Sequence, residues 1–414
     1  MSGPHLGTSG KSDKEERRGS AEAVRRQGGL GAMSGPPSRM KTVLIHSEAA
    51  TRFDYGPQHP LRMERLGLTW RLMQAYGVTR LPGSTVLAPE PAAETDIARF
   101  HSREYLDVLK RANTGAEPAD GAMYGLGLGD NPVFRGLWES AQLVAAGSLL
   151  AADVVARGEA DRAFHFAGGL HHAMPDRASG FCYVNDAVLA ILRLRERGLR
   201  VVYVDIDAHH GDGVQHAFYG DPSVMTVSLH ERGERLFPGT GFVREVGEGE
   251  GVGFSVNLPL EAYTDSTVYL PAFDAVVPPL VRRFAPDVIV AQLGVDTHRT
   301  DPLTHLALDV QGFASALTRL LPLAPRMVAL GGGGYDLRNV ARMWTVAWAV
   351  LNGVELPDTL PEAFEDDARH YGFKTRALWD AEVALPDDLK RAVADYADRQ
   401  VDAVQQTIFP LHGL

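Results

Sequence analysis

The chain of 414 residues is 45% hydrophobic and 22% charged, enough apolar material for a sizeable core, which excludes wholesale disorder and a disulfide-stapled miniprotein. Lys and Arg number 41 against 52 Asp and Glu, a formal net charge of -11 that argues against broad coating of nucleic acid. Cys182 is the lone cysteine, so an internal disulfide and a multi-cysteine zinc module are excluded.

Residues 1–40 are rich in Gly, Ser, Pro and charge, with seven Lys/Arg against four Asp/Glu and no lasting apolar period. Ordering them would cost entropy with little burial in return, so a disordered extension is expected, with a basic docking arm as the alternative. Met40 is itself a candidate start. The β-branched run at 41–46 predicts the first strand, and three- and four-residue spacing predicts helices at 64–75, 104–112 and 136–156. Further strands are predicted at 163–167, 201–207, 224–229, 252–258, 287–293 and 326–331, several without polar alternation, as in a parallel sheet covered on both faces. Helices at 186–197, 268–284, 309–321 and 339–352 separate many of them. The strand–helix repetition predicts one α/β domain over 41–380 with a central, mainly parallel sheet. A helix at 386–406 follows, within a helical extension over 381–414; its stripe of Leu389, Val393, Tyr396, Ala397, Val401 and Val404 suits packing on the domain or an oligomer contact. No apolar run long enough to span a membrane stands out, and no signal core, so a soluble cytoplasmic protein is expected.

The densest polar signal is VDIDAHHGDG at 204–213, directly after an apolar strand. Asp205, Asp207 and His209 alternate, so an extended backbone directs them to one side. Such crowding is expensive without a metal, hydrogen bonds or proton sharing, and strand ends are where parallel sheets hold ligands. A structural ion-pair cluster is the plain alternative. GGLHHAM at 168–174 presents His171 and His172, and LGVDTH at 293–298 places Asp296 at another strand end. Asp207, His209 and Asp296 form a mixed N/O set suited to zinc with an open position, while the two histidines stay free for acid/base work beside Asp205 and Asp212. ALGGGGYDL at 329–337 has glycines, Gly334 included, suited either to a phosphate-cradling nest, though without a Walker lysine or Rossmann spacing, or to a close backbone approach that places the Tyr335 phenol over a reaction centre.

Together YGPQHPLRMERL, GGLHHAM, GFCYVNDAVLA, YVDIDAHHGDGVQ, VMTVSLH, FPGTG, LGVDTHRTDPL and LGGGGYDL resemble the histone deacetylase superfamily, the arginase-like zinc deacetylases, most of all its bacterial acetoin-utilisation branch of class I type. The resemblance implies a single three-layer domain that removes acetyl groups from lysine side chains, with zinc on Asp207, His209 and Asp296, ferrous iron being the other metal considered. It implies catalytic roles for His171 with Asp205, His172 with Asp212, and Tyr335. Phe181 and Phe237 match tunnel walls, Leu303 a further wall, Gly334 the substrate side, and Asp130 a rim residue that holds a peptide backbone. Asp205, Asp207, His209, Ser228 and Leu229 match a structural potassium or sodium site. Arg65 matches an arginine on an internal acetate-release path, or else ties the N-terminal segment down by a salt bridge. Cys182 is read as packing near the pocket. An acetylated protein or peptide is the implied partner, acetylated acetyl-coenzyme A synthetase among the candidates, with no direct nucleic-acid or membrane partner expected. An acetylpolyamine amidohydrolase, an arginase-type hydrolase and a non-catalytic acetyl-lysine reader are the competing readings.

Overall fold

The computed structural model describes residues 40–127 and 129–414; the disorder expected of the N-terminal extension falls outside the described residues. Strands β1 (Thr42–Ile45), β2 (Ser84–Leu87), β3 (Arg162–His165), β4 (Val201–Asp205), β5 (Val224–Glu231), β6 (Ser255–Leu260), β7 (Val288–Gln292) and β8 (Arg326–Leu330) form one sheet ordered β2-β1-β3-β8-β7-β4-β5-β6. All neighbouring strands run parallel. The longer helices are α1 (Glu64–Ala75), α2 (Arg103–Ala112), α3 (Leu137–Ala156), α4 (Asp186–Glu196), α5 (Asp212–Phe218), α6 (Ser266–Phe284), α7 (Val310–Leu320), α8 (Leu337–Asn352) and α9 (Asp387–Thr407).

The apolar strands read straight through because both faces are covered. Val202 and Val204 of β4, Ile289 and Ala291 of β7, and Met327 and Ala329 of β8 pack under α1, α6, α7, α8 and α9. Their alternates, Val201, Tyr203, Val288, Val290, Val328 and Leu330, pack against α3, α4 and α5. This produces a three-layer sandwich.

Local signals explain the departures from the predicted elements. β2 is four residues on a sheet edge, three half-buried and Thr85 exposed, too short to show alternation. α5 went unread because Gly213 weakens its pattern, yet a Cβ there would come within 2.6 Å of His171 O and Ala173 O. α6 carries Pro271, Pro278 and Pro279 inside the helix, and its buried Val268, Phe273, Val277 and Leu280 hold it together against their cost. Among the described residues one helix, α3, is long and apolar enough by composition to cross a membrane. Its small residues pack it against β3 and α4, where 56% of its most apolar window is buried. The α9 stripe packs within the chain, with Val393, Ala397 and Val404 joining the core beside α6 and β6.

Candidate metal-dependent active site

Strands β3, β8, β7 and β4 are contiguous in the sheet, so the loops leaving their carboxyl ends converge over its centre. The loop after β4 is tied by carboxylates from its own start and from the loop after β7. Asp205 Oδ1 accepts the Asp207 amide at 3.1 Å, Asp207 Oδ1 accepts the His209 amide at 2.9 Å, and Asp296 Oδ1 accepts the Ala208 amide at 2.9 Å. These bonds turn the side chains of Asp207, His209 and Asp296 inward, where all three are buried.

One ligand atom from each of Asp207, His209 and Asp296 lies within 4.8 Å of the others, the sole such cluster among the described residues. His209 Nδ1 is 2.8 Å from Asp296 Oδ2 and 3.1 Å from Asp207 Oδ1. Burial opposes charge on His209, but the carboxylates of Asp296 and Asp207 outweigh it and raise its pKa well above the ordinary value. A cluster that draws a proton onto His209 in this way is one that a divalent cation fits, with an imidazole and two carboxylates as N/O donors and one position open. Gly333 completes the cradle: its N–H donates to Asp207 Oδ2 at 2.7 Å, and a Cβ there would lie 2.1 Å from Asp296 Oδ2. Close approach, not phosphate binding, is what this glycine serves.

Behind the triad stand two imidazole–carboxylate pairs. His171 Nδ1 is 2.8 Å from Asp205 Oδ2, which also accepts the Tyr203 hydroxyl at 2.6 Å, and His172 Nδ1 is 2.7 Å from Asp212 Oδ1. The two Nε2 atoms face each other at 2.9 Å. Burial disfavours charge on His171, yet Asp205 and Asp207 overcome it and raise its pKa to about 9. Burial and then the neighbouring His171 lower His172 to about 4, with Asp212 recovering only part. These opposite shifts across a 2.9 Å contact make the two rings a coupled pair rather than independent imidazoles.

Asn185 and Asp186, at the start of α4, clamp the turn carrying both histidines. Asp186 accepts the amides of Gly169 and Leu170, each at 2.8 Å, and the Ser148 hydroxyl at 2.5 Å. Asn185 Nδ2 donates to His171 O at 3.0 Å and Ala173 O at 3.1 Å. Asp186→Ala would strand the amides of Gly169 and Leu170, each worth about 1–3 kcal/mol when left unpaired, while the Ser148 hydroxyl keeps His165 Nδ1 at 2.9 Å. Denaturant unfolding should show a loss of roughly 3 kcal/mol or more; a loss under about 1 kcal/mol would mean the turn holds itself.

Tyr335 is anchored by its amide to Asp301 Oδ2 at 2.8 Å. Its ring stands edge-on to His209 and to Phe181, with centroids 6.4 and 5.7 Å away. Burial first, then the charges of Asp296 and Asp207, hold its phenol pKa well above the ordinary value, so it remains a donor. Phe237 stands edge-on to His172 at 5.0 Å and is 43% exposed, which places it where the pocket opens. Phe181 holds a φ of 68°, and its carbonyl accepts the Tyr55 hydroxyl at 3.0 Å. A pocket bounded by Leu170, His171, His172, Phe181, Asp207 and Tyr335 lies between them.

Other sequence-selected residues stand further out. The Asp130 side chain is exposed, and its carbonyl meets His59 Nε2 at 3.1 Å, with the His59 ring against Phe181. Leu303 is half-buried, its amide held by Asp301 Oδ1 at 3.0 Å. Gly334 gives its carbonyl to Arg65 Nη1 at 3.1 Å. Ser228 lies opposite Asp205 in the sheet with its hydroxyl 2.8 Å from His230 Nδ1, while the Leu229 side chain is in the core and leaves only its carbonyl for an ion. Burial pushes the Cys182 thiol up, as fits a packing role. The salt bridge considered for Arg65 is corrected. Its guanidinium is buried, donates to the carbonyls of Gly332 and Gly334, and lies 5.1 Å over Trp344, with no carboxylate partner among the described residues. Arg65 instead lines both the pocket and an adjoining inner cavity beside Tyr55 and Tyr183.

Gln292 escaped the sequence reading. Its Nε2 donates to Asp207 Oδ2 at 2.7 Å and its Oε1 accepts the Gly294 amide at 2.7 Å, aiming the carboxylate. The available signal was a polar residue closing an otherwise apolar strand.

Comparison with known proteins agrees with this geometry. Residues 59–351 match the histone deacetylase domain. The chain is 39% identical over 328 residues to the acetoin utilization protein AcuC of Bacillus subtilis, covering 77% of this chain and 84% of that protein. It is 42% identical over 311 residues to histone deacetylase 9 of Arabidopsis thaliana, covering 74% and 72%. Against histone deacetylase 1 of Homo sapiens it is 38% identical over 338 residues, covering 81% and 69%.

Proposed function

The chain belongs to the histone deacetylase family, and from that premise we propose that it hydrolyses the side-chain amide of acetyl-lysine in proteins or peptides, releasing acetate. It is a metal-dependent deacetylase. The observation that carries the substrate reading is the Asp207/His209/Asp296 cluster lying beside both Tyr335 and the His171–His172 pair, with the Phe181 ring against Tyr335 and the Phe237 ring against His172.

A divalent cation on those three ligands, zinc by preference and ferrous iron as the alternative, would polarise the amide carbonyl and acidify a water molecule. The chain's own residues supply the rest. Both histidine Nδ1 atoms are engaged by carboxylates, so each ring exchanges protons through Nε2, and the 2.9 Å contact between the two Nε2 atoms couples them. His172 takes the proton of the attacking water and returns it to the departing lysine nitrogen. His171, with Asp205, gives electrostatic support or assists the proton transfer. Tyr335 donates toward the carbonyl oxygen as its charge develops. Phe181, Phe237 and Leu303 enclose the lysine methylenes, and Asp130 meets the peptide backbone at the rim.

An acetylated acetyl-coenzyme A synthetase is a candidate physiological substrate. Steady-state kcat/KM on an acetyl-lysine peptide should exceed that on an acetylpolyamine by at least about 10-fold. The reverse preference would move the assignment to the small-molecule branch, and tight peptide binding without acetate release would make the protein a reader.

A further inference from the structure

Asp380 lies well beyond residue 351, where the domain match ends, yet it reaches the loop that follows Asp296. Its Oδ2 accepts His298 Nε2–H and the Val310 amide, each at 2.9 Å, and its Oδ1 accepts Arg342 Nη2–H at 2.9 Å. His298 is 2% exposed. Its Nδ1 accepts the Thr300 amide at 3.2 Å and Asn339 Nδ2–H at 2.8 Å, so the ring donates from Nε2 and accepts at Nδ1. Asn339 and Thr300 then meet Asp336, the residue after Tyr335, at 3.1 and 2.9 Å. The adjacent Asp301 holds the Tyr335 amide. A hydrogen-bonded path thus runs from the C-terminal segment through His298 to both loops that frame the pocket.

We infer that Asp380 is a positioning residue, which through His298 fixes the loop carrying Asp296 against the turn carrying Tyr335. The inference rests on the deacetylase reading only for the roles of those two residues. Asp380 connects β7's exit loop, the first turn of α7 and the side of α8 with one carboxylate. Asparagine in its place keeps the shape but offers one acceptor where two are used, and turns an NH2 group toward the donor of either His298 or Arg342. Satisfied buried networks of this kind are stiff, and a displacement of about 1 Å in reacting geometry costs roughly 100-fold in rate.

The test compares D380N, H298Q, the D380N/H298Q double variant and Q311A in the full chain. Gln311 bonds only the backbone of Asp380, with Nε2 to its carbonyl at 2.7 Å and Oε1 to its amide at 3.2 Å, so Q311A loosens the same segment without touching the path. H298Q keeps a donor toward Asp380 but loses the Nδ1 acceptor. In D380N, kcat on an acetyl-lysine peptide should fall about 10- to 100-fold with KM within about 3-fold, and Q311A should stay near the unsubstituted protein. Hydrogen exchange in the metal-stripped proteins supplies a readout independent of turnover. The amides of Thr300, Asp301, Leu303 and Tyr335 should exchange faster in D380N and H298Q, no faster still in the double variant, and unchanged in Q311A, with β4 amides as internal reference. Unchanged exchange at those four amides in both D380N and H298Q would overturn the inference, as would equal acceleration in Q311A. Absence of turnover in the unsubstituted protein would overturn the proposed function instead, and the exchange result would still decide the role of Asp380.

Discussion

Tyr335→Phe is expected to retain metal and to bind an acetyl-lysine peptide normally while losing about 100–1000-fold in the chemical step. The substitution keeps the ring that stands against Phe181 and His209, so the pocket walls are preserved. It also keeps the backbone bond to Asp301, because that bond belongs to the amide. What disappears is one hydroxyl donor that the surrounding burial and carboxylates keep protonated. A single well-placed donor to a developing oxyanion is worth about 3–4 kcal/mol, which corresponds to that range of rate. Single-turnover acetate release, measured beside metal content and peptide affinity, separates the chemical step from binding. Near-normal chemistry with the metal site filled would remove Tyr335 from the mechanism and leave the deacetylase assignment standing.

Asp296→Asn is expected to fail earlier, at metal retention. Asp296 contributes one of two carboxylates in a three-ligand set, and its Oδ1 also holds the Ala208 amide that shapes the loop bearing His209. Loss of a hydrogen bond that merely supports a ligand costs about 10–100-fold in metal affinity, so loss of the anionic ligand itself should exceed that. Metal content after gel filtration should drop, turnover should fall in proportion, and excess zinc should recover only part of it. A variant that kept full metal and full activity would displace Asp296 from the site.

The sandwich and most of the chemistry were legible because they are written locally. Val201 to Asp205 reads as a two-face buried strand, and the alternation of Asp205, Asp207 and His209 announces ligands at its end. The paired histidines and the glycine run before Tyr335 carry their own signals. Residues whose role depends on distant partners gave none. Asp186 looks like an ordinary acidic residue at a helix start until the Gly169–Leu170 turn folds onto it, and Gln292 looks like the polar end of a strand. Arg65 was misread in one alternative because a buried guanidinium satisfied by backbone carbonyls has no counterpart in sequence that marks it apart from an ion pair.

Metal dependence of acetate release is the most direct measurement of the central claim. The full chain is stripped with a chelator, its residual metal is quantified, and acetate release from an acetyl-lysine peptide is followed before and after one equivalent of zinc is restored. The expected result is negligible release from the stripped protein and recovery of most of the original rate on addition of zinc. Undiminished release by protein shown to be free of metal would contradict the assignment of Asp207, His209 and Asp296, and with it the proposed chemistry.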